Sequence, residues 1–117
     1  MTVFAKMDGQ YLPTPENLGY VRDHLDRFGS FPENEMMLER LADQGVRTEY
    51  DQNFLDHELV ERCYMDEQGM DYDTAHERAL NDLGVSPYAV YDTSVVAALP
   101  EHFNDNWYSF HGIEREV

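Results

Sequence analysis

Cations are scarce in this chain. Eight Lys and Arg stand against 24 Asp and Glu, a formal net charge of -16 over 117 residues. Such a surface repels nucleic-acid phosphates and anionic membranes, so direct nucleic-acid binding is disfavoured and no membrane association is expected. Cysteine is nearly absent. The lone Cys63 excludes an internal disulfide, which suits a reducing cytoplasm. Long apolar runs are missing, and none approaches the roughly 18 residues a membrane helix needs. No basic and then apolar leader opens the chain, so no secretory signal is expected. Repeats, low-complexity stretches, a phosphate-cradling glycine loop, a cysteine zinc motif and a Ser–His–Asp pattern are lacking too.

The apolar content is 42% and the aromatic content 13%, which is enough for one core. A chain of this size buries about two-thirds of its unfolded surface on folding. The expected division is an N-terminal arm over 1–13, which has no clear period, and a single helical domain over 14–117.

Glycine and proline punctuate that domain at regular intervals. Thr14-Pro15-Glu16 reads as a helix cap, a first-turn proline and an acidic first turn, followed by Leu18, Val21, Leu25 and Phe28 at helical spacing up to Gly29. Ser30-Phe31-Pro32-Glu33 starts a second helix, whose stripe is Met37, Leu38, Leu41 and Ala42, and Gly45 ends it. Val46 to Tyr50 reads as a short extended piece, and a third helix is expected from about Gln52 to Gln68. Asp71 caps a fourth helix that Gly84 closes, and Val85–Tyr88 forms a turn. Asp92 or Ser94 caps a short helix through Leu99. Pro100 opens the last one, with Phe103, Trp107 and Phe110 on one face and Gly112 behind it. The expectation is an all-α fold, a compact bundle of about five to six short helices.

The third helix carries His57-Glu58-Leu59-Val60-Glu61. His57 and Glu61 are four apart and share a helix face. Together they can reach one divalent metal, with His76 on the next helix as the third ligand and Glu58 free as a base. The same four residues can also run acid–base chemistry without a metal, or lie on a solvated face where Glu61 touches His57 only weakly. The residues specify no cofactor. Glu58, Glu61 and Glu77 can form ion pairs with Arg62 and Arg78 between helices three and four. Tyr88, Tyr91, Trp107 and Tyr108, the six Met and Cys63 read first as core material.

Asn34-Glu35-Met36-Met37 with Arg40-Leu41, then Asn53-Phe54-Leu55, His57-Glu58 and Glu61 follow one another in a characteristic order. Gly69-Met70, Tyr72, Ala75-His76, Ala79-Leu80 and Gly84-Val85-Ser86-Pro87-Tyr88 come next, and Pro100, Phe103-Asn104, Trp107 and Phe110-His111-Gly112-Ile113 close the series. This order resembles the C-terminal toxin regions of bacterial polymorphic toxins of the Rhs and filamentous-haemagglutinin kind; similar tails occur in phage-encoded proteins. The resemblance spans most of residues 17–113 and implies a toxin-type effector domain acting in the bacterial cytoplasm. Such a domain is carried by a larger delivery protein and neutralised by an immunity protein. Nuclease activity is the commonest in that group. The resemblance places catalysis on His57, Glu58, Glu61 and His76. It departs at Asp92, where a histidine is expected after Tyr91, and that puts activity in question.

The charge supports a rival reading. A small acidic protein can imitate nucleic-acid phosphates and block a basic nucleic-acid enzyme, as phage counter-defence inhibitors do. A third possibility is an acidic interaction protein without catalysis. The direction in which His57, Glu58, Glu61 and His76 point separates them: convergence in a cleft favours the enzyme, whereas carboxylates spread over an outer face favour the mimic.

Overall fold

Thr14 accepts a hydrogen bond from the backbone N–H of Asn17, and Pro15 takes the first turn of α1 (Pro15–Asp26) in the computed structural model, which describes residues 4–114. Pro32 likewise opens α2 (Pro32–Gln44), and Gly45 ends it at a φ of 69°. The next helix, α3 (Glu49–Asp66), starts three residues earlier than the pattern suggests. Thr48 and Asp51 form a reciprocal capping box, in which each side chain accepts from the other's backbone N–H. The extended piece expected over 46–50 therefore stops at Thr48. Asp71 caps α4 (Tyr72–Leu83) through the Thr74 N–H, and left-handed Gly84 closes it. A single 3-10 turn (Pro87–Ala89) leads to α5 (Thr93–Ala98), which Asp92 caps through the Ser94 N–H. The final helix, α6 (Asp105–His111), is capped by Asn104 and not opened by Pro100. Asn104 offers a side-chain acceptor to the Asn106 and Trp107 N–H groups, which Pro100 cannot do.

Among the described residues the fold is thus an all-α bundle of six helices with one small addition. Within the expected arm, Lys6–Met7 (β1) pairs antiparallel with Gln10–Tyr11 (β2). Asp8 and Gly9 between them both have positive φ, at 52° and 80°, the twist a two-residue hairpin requires. Residues 1–3 of that arm lie outside the described residues. Phe4 packs into the core, and buried Asn17 donates from Nδ2 to the carbonyls of Ala5 (3.1 Å) and Leu12 (2.8 Å). From α3, Gln52 donates to the Tyr11 carbonyl and Asp56 accepts from the Tyr11 N–H. Asn17→Ala is expected to cost about 1–3 kcal/mol by leaving the part-buried Leu12 carbonyl without this donor, while the Ala5 carbonyl keeps the Leu12 N–H. Hydrogen exchange should then accelerate in the hairpin while α3 and α4 stay protected. Equal acceleration everywhere would show that the hairpin does not dock as a separable unit.

The core is built around α3. Phe54, Leu55 and Leu59 are buried there against Val21 and Leu25 of α1, Met37, Leu38 and Leu41 of α2, and Val95 and Val96 of α5. Helix α4 closes on α3 through Ala75 and Ala79, both fully buried, whose small side chains allow close approach. Enclosed by neighbours on several sides, α3 buries polar residues as well: Asp51, Gln52, His57, Glu58 and Glu61. Phe103 and Tyr108 complete the core, with Trp107 packed against it. Not every methionine fills the core. Met37 is fully buried and Met36 half-buried, but Met7 is 63% exposed on the hairpin. Cys63 is half-buried, and burial pushes its thiol pKa up, away from reactivity. Among the described residues, no helix is long and apolar enough to cross a membrane.

Candidate functional site

Three histidines converge on one buried carboxylate. Glu61, on α3, is 2% exposed. Its Oε1 lies 2.7 Å from His24 Nε2, and its Oε2 lies 2.9 Å from His57 Nε2 and 3.0 Å from His76 Nδ1. His24 comes from the last turn of α1, His57 from one turn earlier on α3, and His76 from α4. The Ala75 and Ala79 packing of α4 on α3 sets His76 against Glu61. His57 Nε2 and His76 Nδ1 are 3.1 Å apart, so these two nitrogens and Glu61 Oε2 form a small triangle. His57 is buried, while His76 is partly open to solvent.

Glu58 faces the same cluster. One of its carboxyl oxygens lies 3.6 Å from His24 Nε2, is buried and has no hydrogen-bond partner. The ring Nδ1 atoms of His24 and His57 are likewise buried without a partner. Burial and the neighbouring Glu61 charge push the Glu58 pKa well above the ordinary carboxyl range. Burial acts in the same direction on Glu61, but the hydrogen bonds from His24, His57 and His76 outweigh it and hold that carboxylate well below the range. Two carboxyls three residues apart are thus driven in opposite directions, one toward the protonated and one toward the ionised form. That is the arrangement of a general acid beside a base or ligand.

His57, Glu58, Glu61 and His76 line a cleft of about 450 Å³, and His24 lies fully buried behind Glu61. Phe28 and Phe31 form one wall, Tyr72 of α4 another, and Tyr91 and Trp107 a third. The Tyr72 ring lies 4.8 Å from Phe28 and 5.4 Å from His76 between centroids. Burial, with the Glu61 and Glu58 charges, pushes the Tyr72 hydroxyl up to about 12, so it stays a protonated hydrogen-bond donor at neutral pH. Tyr91 donates to Asn34 Oδ1 at 2.6 Å and is also pushed well above its ordinary value, chiefly by burial. Among the described residues, no Lys or Arg lines this cleft. A larger groove of about 620 Å³ runs between α1 and α2, but it holds the two-pronged Arg22–Glu35 ion pair and no histidine.

No protein-family model, curated protein or solved structure matches this chain. The chemistry of the cluster therefore has to be read from its own atoms.

Among the described residues, two trios each bring three ligand atoms within 4.8 Å of one another: His57, Glu61 and His76; and His24, Glu58 and Glu61. Each is a mixed imidazole and carboxylate set of the kind that holds a first-row divalent metal.

The four residues singled out in the sequence, His57, Glu58, Glu61 and His76, are brought together. The solvated helix face allowed for them is not what forms, because α1 and α4 cover that side of α3. The expected ion pairs between α3 and α4 do not form either. Arg62 pairs with Asp66 at 3.2 Å and donates to the Tyr20 carbonyl, and Arg78 lies 3.6 Å from Asp82. Arg62 turns to its own helix and across to α1, and Arg78 along α4, leaving Glu58 and Glu61 to the histidines. Tyr91 and Trp107 are cleft walls as well as packing residues, whereas Tyr108 is buried core.

Sequence reasoning missed His24, Tyr72 and Asn34. His24 carried one readable signal. Three residues after Val21 and next to Leu25, it falls on the apolar face of α1, where an uncompensated imidazole is out of place. Asp92, standing where a histidine was expected, is tied into the scaffold. It caps α5, accepts from the Thr48 hydroxyl at 2.8 Å and lies 3.2 Å from Arg40.

Proposed function

We propose that this chain is a bacterial toxin-type effector domain with hydrolase activity, of the nuclease class, and that His24, His57, Glu58, Glu61 and His76 form its active site. The observation that carries this reading is the convergence of three histidines on Glu61, with His57, His76 and two oppositely shifted carboxyls lining an aromatic-walled cleft and His24 buried behind them. Surface solubility does not account for burying two carboxyls at the cost such groups incur. A phosphate-mimicking inhibitor would need its carboxylates on an outer face and has no use for this arrangement.

Glu61 holds the histidines in place. The partly open His76 is the group a bound molecule meets first, and with His57, Glu58 and Glu61 it can serve in acid–base exchange or as a ligand of a divalent ion. Tyr72, Tyr91 and Trp107 offer flat faces on which nucleobases stack. An immunity protein would act by covering this cleft.

Expression in a bacterial host tests the reading. Wild type should arrest growth, and His57→Ala or His76→Ala should relieve the arrest by at least about 100-fold in surviving colonies, the scale of losing one acid–base group. Nucleic acid recovered from arrested cells should be cleaved. Folded wild-type protein that accumulates without slowing growth would sink the proposal. Tight, salt-sensitive binding to a basic nucleic-acid enzyme, retained in both alanine variants, would point to the acidic mimic instead.

A further inference from the structure

A hydrolase acting on phosphodiesters must meet negative charge with positive charge, and among the described residues no Lys or Arg lines this cleft to do so. It is lined instead by the carboxyls of Glu33, Glu58 and Glu61 and the imidazoles of His57 and His76, with fully buried His24 behind Glu61. The geometry of that cluster is unusual for hydrogen bonding alone. His57 Nε2, His76 Nδ1 and Glu61 Oε2 form a triangle with edges of 2.9, 3.0 and 3.1 Å. Each ring nitrogen carries either one proton or one lone pair, and an ionised carboxylate oxygen carries no proton. Two protons at most can serve the three edges, so one edge always lacks a hydrogen bond. Three lone pairs aimed at a common centre produce such a triangle. Ligands about 2.0–2.1 Å from a tetrahedral ion sit roughly 3.3 Å apart, close to these edges.

A second observation lies on the other side of Glu61. Glu58 is a nine-tenths buried carboxyl with one oxygen unpartnered, and it faces His24 Nε2 at 3.6 Å. His24 Nε2 in turn meets Glu61 Oε1, not Oε2. The two trios thus share Glu61 but use different oxygens of it.

We infer that the cluster is a two-cation site bridged by the Glu61 carboxylate. One divalent ion sits on His57 Nε2, His76 Nδ1 and Glu61 Oε2, and the other on His24 Nε2, Glu61 Oε1 and Glu58. A bridging carboxylate suits the spacing of about 3.5–4 Å found in two-metal hydrolytic sites. The imidazoles favour Zn²⁺ or Fe²⁺ over Mg²⁺ and Ca²⁺, which prefer all-oxygen shells, and the carboxylates of both trios also accommodate Mn²⁺. Three protein ligands leave the ion on His57, His76 and Glu61 positions for water and substrate, and the half-open His76 marks the side from which they enter, while the second ion lies deeper among buried ligands. Two such ions carry more positive charge than Glu33, Glu58 and Glu61 together carry negative, so this end of the cleft becomes attractive to an anionic substrate. The role of the ions rests on the hydrolase reading; the site itself does not.

Metal content tests it directly. The full chain is stripped with a chelator, reloaded with Mn²⁺, freed of unbound ion and analysed for metal. Wild type should retain two ions per chain and give the electron-paramagnetic signature of an exchange-coupled pair. His24→Ala and Glu58→Gln should each retain one ion and give an isolated-ion signal, with circular dichroism confirming the helices. Wild type that retains no ion, or only one, would overturn the inference. So would folded His24→Ala that still holds two coupled ions. Growth arrest is read separately: two ions without arrest leave the site standing and remove the hydrolase reading, and arrest without ions does the reverse.

Discussion

Glu61→Ala, measured in chelator at pH 7, is expected to lower the stability of the fold by about 3–5 kcal/mol. That is a large share of the roughly 5–15 kcal/mol that holds a domain of this kind together. The side chain is almost fully buried and is the common acceptor for His24, His57 and His76, which come from three different helices. Removing it leaves His24 and His57, at 0% and 1% exposure, without the acceptor that justifies their burial. A void opens as well, since the shortened side chain no longer fills the space between α1, α3 and α4. Glu61→Gln keeps the volume and one acceptor oxygen but turns an NH2 group toward a histidine, so its cost should be smaller. Urea unfolding followed through Trp107, the only tryptophan, gives both values. In a double-mutant cycle with His24→Ala, the two changes should couple by about 0.5–3 kcal/mol. A Glu61→Ala cost below about 1 kcal/mol would mean that the network does not join the three helices.

The scaffold was largely legible because its signals are local. Thr14, Asp71 and Asp92 are followed two or three residues later by the N–H groups they cap, and Gly45, Gly84 and Gly112 stop helices that no other residue would stop as readily. Where two local signals competed, the weaker was chosen. Val46 to Tyr50 looks extended, yet Thr48 and Asp51 already spell a capping box. Pro100 looks like a helix opener, yet Asn104 is the residue with the acceptor. The site was half legible for a related reason. His57 and Glu61 announce themselves by i,i+4 spacing, and His76 by its place beside the apolar stripe of α4. His24 lies 37 residues before Glu61, and no periodicity predicts that pairing. Nor does the pattern of α3 reveal that Glu58 is buried. Its polar and apolar residues are mixed around the helix because neighbours enclose it on several sides, so an acidic residue there looks like a solvated one.

The second large effect lies on the far side of the bundle. Asp51→Ala is expected to cost about 3–5 kcal/mol at neutral pH. Asp51 has no exposed surface and accepts from Arg40 Nε at 2.8 Å, Arg40 Nη2 at 2.9 Å, and the backbone N–H groups of Arg47 and Thr48. Arg40 reaches on to Asp92 and Ser94, so one guanidinium ties α2 to the caps of α3 and α5. Burial pushes the Asp51 carboxyl up, but these four hydrogen bonds prevail and its pKa falls below the ordinary 3.8. Asp92 is held down the same way, chiefly by Ser94 and Thr48 against its own burial. A carboxyl with a depressed folded pKa contributes stability that is present above its unfolded value and lost as pH falls through the folded one. The gap in urea midpoint between wild type and Asp51→Ala should therefore be full at pH 7 and narrow steadily below about pH 4. At low pH, wild-type Asp51 is itself protonated and leaves Arg40 as poorly paired as the mutation does. Asp56 works against this trend, since burial raises its pKa and its protonation favours the fold in acid. It is common to both proteins, however, and cancels in the comparison. A gap of constant size from pH 7 to pH 2 would show that Asp51 acts through packing alone and not through its charge.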